Sequence, residues 1–231
     1  MRLDRFLTRR GIHPCKEVSR LLVDGRVRVD GLVEINGLRR INRFSRVELD
    51  DEILQKKEAV YLMLHKPAGY LSATSDPQHP TVMELIDHPL RDELHLAGRL
   101  DRASTGLLLL TNDGRWSKLV TEPLEEISKV YRVTMRDDIS PDTAEIFADG
   151  IYFAYEDLTT RPAVLKILSA REALLTIHEG RYHQVKRMFH AVGNQVLKLH
   201  RESIGSLALN DSLSPGKFRP LSAAEISSFG E

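Results

Sequence analysis

Residues 98–114 read GRLDRASTGLLLLTNDG and contain four consecutive leucines, at 107–110. This apolar run is short, and the turn sequence Asn-Asp-Gly follows it, so it predicts a buried β-strand rather than a helix. Asp101 lies six residues before the first leucine, close to Arg99 and Arg102. The chain therefore places one carboxylate and two cations at the start of a strand whose composition suits burial.

Asp101 has two interpretations. An aspartate shortly before Ser-Thr-Gly is commonly a turn or helix-capping residue. The alternative is a nucleophilic carboxylate, which must stay ionised in a poorly solvated place and therefore needs a cation nearby. Arg99, Arg102, or a lysine or arginine from a distant segment could supply that cation. Spacing alone leaves both interpretations open.

The composition is that of a globular protein with a hydrophobic core, because 42% of the 231 residues are hydrophobic and 29% are charged. The single cysteine, Cys15, excludes a disulfide framework within the chain, which fits a reducing compartment. The chain begins with charged residues rather than a signal peptide, and it has no apolar stretch of about 18 residues. We therefore expect a cytoplasmic protein without a membrane partner.

The net charge is zero, but the charges are unevenly distributed along the chain. Residues 1–50 carry a net charge of +5, residues 136–157 carry −6, and residues 177–202 carry +3 with four histidines. Two basic regions offset by one acidic region indicate a partner that is a polyanion. Solvated surface charge without a ligand is the alternative.

Residues 1–57 predict a small basic domain. Its pattern is a helix that ends near Gly11, a second helix that begins near Pro14, a hairpin that turns at Asp30-Gly31, and a strand in SRVELD. The segment DEILQKKEA, residues 51–59, is expected to be a polar linker. This domain resembles the S-four-type RNA-binding domain, in RLDRFL followed by DGRVRVDG, although residues 14–16 depart from that pattern. The resemblance implies RNA contacts from its exposed cations, which are Arg2, Arg5, Lys16, Arg20, Arg26 and Arg28.

Residues 58–231 predict a second domain, in which strands alternate with helices and hairpins. AVYLMLHK, the leucine run, SKVYRVTM and QVLKLHRESIG predict strands, and QVKRMFHA predicts a helix with an apolar stripe. We therefore expect an α+β fold with a large mixed or antiparallel sheet flanked by helices.

The sequence lacks the motifs of several common kinds of cofactor site and active site. The chain contains no Gly-x-Gly-x-x-Gly turn, no phosphate loop, no Cys-x-x-Cys pair and no Gly-x-Ser-x-Gly elbow. The spacings of His178, His183, His190 and His200 match none of the helical zinc signatures. We therefore expect neither a cofactor nor a metal.

The second domain resembles the pseudouridine synthases of the RsuA/RluA group in five segments that occur in the family's order. These segments are HKPAGY at 65–70, GRLD with TGLLLLTNDG at 98–114, KVYRV at 129–133, EGRYHQVKRMF at 179–189 and LHRESIG at 199–205. The resemblance covers residues 60–225, and with its N-terminal domain the chain is most similar to the RsuA branch. It departs from the family pattern at His65 and Ala103.

The resemblance implies a role for each matching residue. Asp101 would be the catalytic aspartate, Tyr131 would lie against the uracil and assist proton removal, and Lys186 would pair with Asp101. Lys186 and Asp101 are expected to form a buried ion pair. Four more residues would contact RNA, namely Arg99, Arg181, His183 and Leu199. Arg99 would hold the RNA helix open after base extrusion, and Leu199 would form the floor of the pocket. Attack on the sugar, attack on the base and assisted elimination all stay open.

The resemblance favours a uridine of small-subunit (16S) ribosomal RNA as the substrate, in a partly assembled subunit, with the enzyme a monomer. Two alternatives remain, namely the same chemistry on large-subunit (23S) RNA and a ribosome-associated protein that binds RNA without catalysis. Intact Asp101, Tyr131 and Lys186 argue against the second alternative.

Overall fold

The structure is a computed structural model and describes residues 1–9, 15–122 and 127–230. The chain divides into two compact units, Met1–Ala59 and Val60–Glu231. Each unit has its own hydrophobic core.

The first unit contains two helices and a four-stranded antiparallel sheet with the order β2-β1-β3-β4. Its elements are α1 (Leu3–Arg9), α2 (Cys15–Val23), β1 (Val27–Val29), β2 (Leu32–Val33), β3 (Val47–Leu49) and β4 (Glu52–Gln55). Asp30 and Gly31 both have positive φ, as the predicted tight hairpin turn requires. The predicted helix boundaries at Gly11 and Pro14 lie outside the described residues.

The predicted polar linker at 51–59 was wrong for residues 52–55, which form β4 and pair with β3. Asp50 adopts a left-handed conformation (φ 55°) that reverses the chain. Leu54 is then 5% exposed and joins the core of this unit. One buried leucine and a tight turn therefore outweigh the high charge of the segment.

The second unit is built on a nine-stranded sheet in the described chain, with the order β11-β12-β8-β13-β7-β5-β15, while β6 pairs with β7 and β14 pairs with β13. The sheet strands are β5 (Tyr61–Lys66), β6 (His95–Leu96), β7 (Thr105–Thr111), β8 (Lys129–Met135), β11 (Val164–Ser169), β12 (Glu172–Ile177), β13 (Val196–Ile204), β14 (Leu207–Ala208) and β15 (Phe218–Pro220). A separate hairpin consists of β9 (Tyr152–Phe153) and β10 (Leu158–Thr159). The helices are α3 (Gly114–Thr121), α4 (Thr143–Asp149), α5 (Gln184–Ala191) and α6 (Ala223–Ser227), with 3-10 turns at Val82–Leu85 and Arg91–Glu93.

The sheet is mixed because β13 runs parallel to β7, whereas the other strand pairs are antiparallel. This arrangement confirms the predicted α+β class. The leucine run lies inside β7, and Leu107 to Leu110 are all fully buried. Helices α4 and α5 contribute Phe147 and Phe189 to the core against one side of the sheet.

The parallel pairing of β7 with β13 depends on Gly106. Gly106 is paired with Arg201 and has a φ of 110°. A Cβ atom there would lie 2.3 Å from the carbonyl oxygen of Arg201, far inside van der Waals contact. The glycine therefore lets two strands approach at the point where the polar side chains described next converge.

Candidate active site

The loop that carries Asp101 is held by the segment that follows β5. Ser72 Oγ donates to the carbonyl of Leu100 at 2.7 Å, and Arg102 and Gly69 exchange two hydrogen bonds at 2.8 and 3.1 Å. The backbone N–H of Ser104 donates to the carbonyl of Asp101 at 3.0 Å and closes a turn. Contacts on both sides of Asp101 therefore fix its backbone.

Lys66 lies beneath this loop and is fully buried at the end of β5. Its Nζ donates to the carbonyls of Pro67, Arg102 and Ser104 at 3.0, 3.2 and 2.8 Å. Burial lowers the pKa of Lys66 from 10.5 to about 8, while the nearby charge of Asp101 opposes the shift. Lys66 was not predicted to be a site residue, although a lysine that ends the apolar strand YLMLHK was a usable signal.

Two side chains from the start of α5 contact the carboxylate of Asp101. Lys186 Nζ lies 2.5 Å from Oδ2, and His183 Nε2 lies 3.3 Å from Oδ1. The structure therefore brings together Asp101 and Lys186, which are separated by 85 residues in the chain.

Two expectations about this carboxylate need correction. Arg99 and Arg102 were candidate ion-pair partners, but Arg102 Nε donates to the carbonyl of Gly69, and in the described chain the recorded partners of Asp101 are Lys186 and His183. The ion pair is also not buried, because the Asp101 and Lys186 side chains are 26% and 34% exposed. The loop opens towards solvent, so water and a ligand can reach the pair.

Tyr131 and Arg201 form the buried part of the site. Tyr131 lies on β8 and Arg201 lies opposite it on β13, and they are 7% and 2% exposed. The Arg201 guanidinium donates to the carbonyl of Leu107 at 2.8 Å, to the carbonyl of Arg99 at 3.3 Å and to the Tyr131 hydroxyl at 3.5 Å. Arg201 therefore ties Tyr131 to the loop that carries Asp101.

Arg201 lies in the segment LHRESIG but was not predicted to be a site residue. The alternation along β13 was a usable signal, because Arg201 has the same parity as Leu199, which is 9% exposed. An arginine at such a position is buried and must find hydrogen-bond acceptors.

Asp101, Lys186 and Tyr131 line, together with Arg201, one cleft of about 1060 Å³, which is larger than most small-molecule sites. Its apolar part includes Leu199, Tyr131 and Ile177. Seven cationic side chains and two acidic ones, Asp101 and Glu179, line it; the cations are Arg99, Arg102, Lys129, Arg161, Arg181, Lys186 and Arg201. A cleft with this excess of positive charge favours an anionic ligand.

Glu179 organises the segment that precedes α5. Its carboxylate accepts hydrogen bonds from Arg181 Nε at 2.9 Å, Gln184 Nε2 at 2.7 Å and the backbone N–H of Arg161 at 3.1 Å. Arg181 is therefore positioned at the cleft, with its side chain 39% exposed.

Four of the six predicted cations of the first unit lie on its helices or on β1, whereas Arg2 directly precedes α1 and Arg26 directly precedes β1. Arg5, Lys16, Arg20 and Arg28 are exposed. Arg2 forms an ion pair with Asp4, and Arg26 forms a bidentate pair with Asp50 at 2.9 and 2.7 Å. Two of the six predicted RNA contacts are therefore engaged within the protein.

Within the described ranges, no group of three or more His, Cys, Asp or Glu side chains is placed to hold a metal ion. No helix in the part of the chain that the structure describes is long and apolar enough to cross a membrane.

Comparisons with known proteins identify the family of this chain. Residues 60–191 match the family described as RNA pseudouridylate synthase. The chain is 51% identical over 229 residues to the ribosomal small subunit pseudouridine synthase A of Pseudomonas aeruginosa, covering 99% of this chain and 100% of that protein. It is 47% identical over 231 residues to the protein of that name from Yersinia pestis, covering 100% of this chain and 98% of the relative.

A solved structure described as a pseudouridylate synthase agrees with the fold along the whole chain. It superposes with a TM-score of 0.72 at 38% identity, and all of both chains is covered. This chain belongs to the RNA pseudouridylate synthase family.

Proposed function

We propose that this protein isomerises a uridine of small-subunit ribosomal RNA to pseudouridine, with Asp101 as the catalytic nucleophile. The observation that carries the proposal is the contact between Asp101 and Lys186, 2.5 Å long, in a cleft lined mainly by cations. The relatives that share about half of their residues with this chain carry small-subunit names, which supports the substrate.

The reaction breaks the bond between ribose C1′ and uracil N1, turns the base and forms a bond from C1′ to C5. C5 then loses its proton, and N1 takes up one proton. Reactant and product are isomers, so the balance requires no oxidant, reductant or energy source. A carboxylate nucleophile, a proton acceptor and a pocket for one base are sufficient. Asp101 supplies the carboxylate, and the positive charge of Lys186 complements it and holds it in one orientation.

Tyr131 and Leu199 form the base-binding part of this proposal. Both side chains are at least nine-tenths buried and line the cleft that contains Asp101. Tyr131 lies against the uracil and assists removal of the C5 proton, and Leu199 floors the pocket. Arg201 positions Tyr131, because its guanidinium reaches both the tyrosine hydroxyl and the Arg99 carbonyl.

A uridine must leave its helix before it can enter this cleft, and extrusion of a base costs a few kcal/mol. Arg99 holds the vacated helix open, while Arg181 and His183 contact the RNA near the site. Phosphate contacts of this kind offset part of the cost of extrusion.

Residues 1–57, which lie in the first unit, act as an S-four-type RNA-binding domain in this proposal. Its exposed cations Arg5, Lys16, Arg20 and Arg28 bind phosphates of structured RNA, and Arg2 and Arg26 contribute less because carboxylates already pair with them. We propose that the enzyme acts as a monomer in the cytoplasm, on RNA of a partly assembled small subunit.

The test is tritium release from uracil carbon 5, with labelled small-subunit and large-subunit ribosomal RNA assayed in parallel. Release from small-subunit RNA alone supports the proposal. Release from large-subunit RNA alone overturns the proposed substrate. If neither naked RNA nor partly assembled subunits release tritium, the proposed activity is overturned.

A further inference from the structure

An exposed aromatic pair lies at the edge of the cleft. The rings of Tyr182 and His183 stack with their centroids 3.9 Å apart and an angle of 19° between their planes. Both residues line the cleft, yet Tyr182 is 72% exposed. One face of the tyrosine ring is therefore covered by the histidine, while most of the residue stays open to solvent.

The position of this pair is fixed from two sides. His183 adopts a left-handed conformation (φ 49°), and its Nε2 lies 3.3 Å from Asp101. The carbonyl of Tyr182 accepts a hydrogen bond from Arg187 at 3.3 Å, and Glu156 holds Arg187 through two contacts of 2.6 and 2.5 Å. A ring held in this way loses little conformational freedom when a flat ligand stacks on it.

We propose that Tyr182 is a stacking platform for an unpaired RNA base that neighbours the target uridine. The inference rests on the proposed function, because extrusion of a uridine from its helix leaves neighbouring bases partly unstacked. A base has a π face whatever its identity, and aromatic side chains bind such faces. Arg161 lines the same cleft and supplies a cation for the adjoining phosphates, and Arg181 contributes less because Glu179 already pairs with it.

The test compares steady-state tritium release from small-subunit ribosomal RNA by the full-length wild type and Tyr182 variants. Loss of one base–aromatic stack raises KM about 5- to 150-fold in Tyr182→Ala, while kcat stays close to that of the wild type. Tyr182→Phe keeps the ring and retains the wild-type KM. Tyr182→Leu keeps an apolar side chain without an aromatic face and behaves like Tyr182→Ala.

Tyr155→Ala is the matched control, because Tyr155 is 96% exposed and does not line the cleft. This control keeps the wild-type KM. A wild-type KM in Tyr182→Ala, or full rescue by leucine, overturns the inference. A fall in kcat and melting temperature at unchanged KM also overturns it, because that result assigns Tyr182 a structural role.

The same assay separates the two proposals. Wild-type release together with an unchanged Tyr182→Ala variant refutes the stacking platform alone. Absence of release by the wild type refutes the proposed function and, with it, the inference.

Discussion

The close approach of β7 and β13 makes Gly106→Ala the most informative change in the framework of the site. The new Cβ would lie 2.3, 2.6 and 2.9 Å from the carbonyl oxygen, nitrogen and carbonyl carbon of Arg201. These atoms are backbone, so the strands must separate to relieve the overlap. Separation would draw Arg201 away from the carbonyls of Leu107 and Arg99 and disturb the loop that carries Asp101.

Two costs contribute to the expected loss of stability. A left-handed conformation costs a non-glycine residue about 1–2 kcal/mol, and overpacking costs about 1–3 kcal/mol. Gly106→Ala should therefore lower the free energy of unfolding by about 2–5 kcal/mol. Urea unfolding followed by the fluorescence of Trp116 measures this change in the second unit, because the chain has one tryptophan and it is 4% exposed there.

Gly216→Ala separates the two costs. Gly216 has a φ of 81°, and a Cβ atom there meets nothing within 4 Å, so this variant should lose about 1–2 kcal/mol. Gly106→Ala should also lose most of its tritium-release activity, whereas Gly216→Ala should keep it. Equal destabilisation in the two variants would refute the close approach of the strands.

Three further predictions concern charged side chains. Lys186→Met should reduce turnover by about 100-fold or more. It should change the free energy of unfolding by less than about 1 kcal/mol, because the pair with Asp101 is partly exposed. Tritium release and urea unfolding measure the two effects, and a large loss of stability would contradict the partial exposure of the pair. The pKa of Lys66 is lowered from 10.5 to about 8, so between these pH values the unfolded chain binds more protons and the stability contributed by this lysine rises with pH, by about 3 kcal/mol in total. The difference in unfolding free energy between wild type and Lys66→Met, measured from pH 7 to 11, should show that rise, and a flat difference would refute the shift. Arg201→Lys cannot keep all the bonds of the guanidinium, so it should lose about 1–3 kcal/mol of stability and most activity, and wild-type values in both assays would contradict its positioning of Tyr131.

Local patterns predicted the elements that carry their own signal. The leucine run at 107–110 is β7, and the turn residues at 30–31 close the hairpin of the first unit. The high charge of residues 51–59 led to the wrong prediction of a linker, whereas residues 52–55 form β4 with one buried leucine. Helix α4 was not predicted, because its segment is acidic and its apolar contribution depends on Phe147 reaching Phe189 from a distant part of the chain.

The candidate site was predicted less completely than the fold. The pairing of Asp101 with Lys186 was expected from the family resemblance, since no local pattern links residues that lie 85 positions apart. Lys66 and Arg201 were missed because their importance depends on which carbonyls they meet after the sheet has formed. Proximity along the chain also predicted the wrong ion-pair partner for Asp101, because the neighbouring Arg102 donates to the carbonyl of Gly69.

The most direct test of the account uses Asp101→Asn, which removes the charge of the carboxylate and nearly preserves its shape. Tritium release and RNA binding would be measured side by side for this variant and the wild type, on small-subunit ribosomal RNA. The catalytic role of Asp101 predicts no release by Asp101→Asn, with RNA affinity close to that of the wild type. Release at the wild-type rate would contradict it and assign Asp101 to the turn alone.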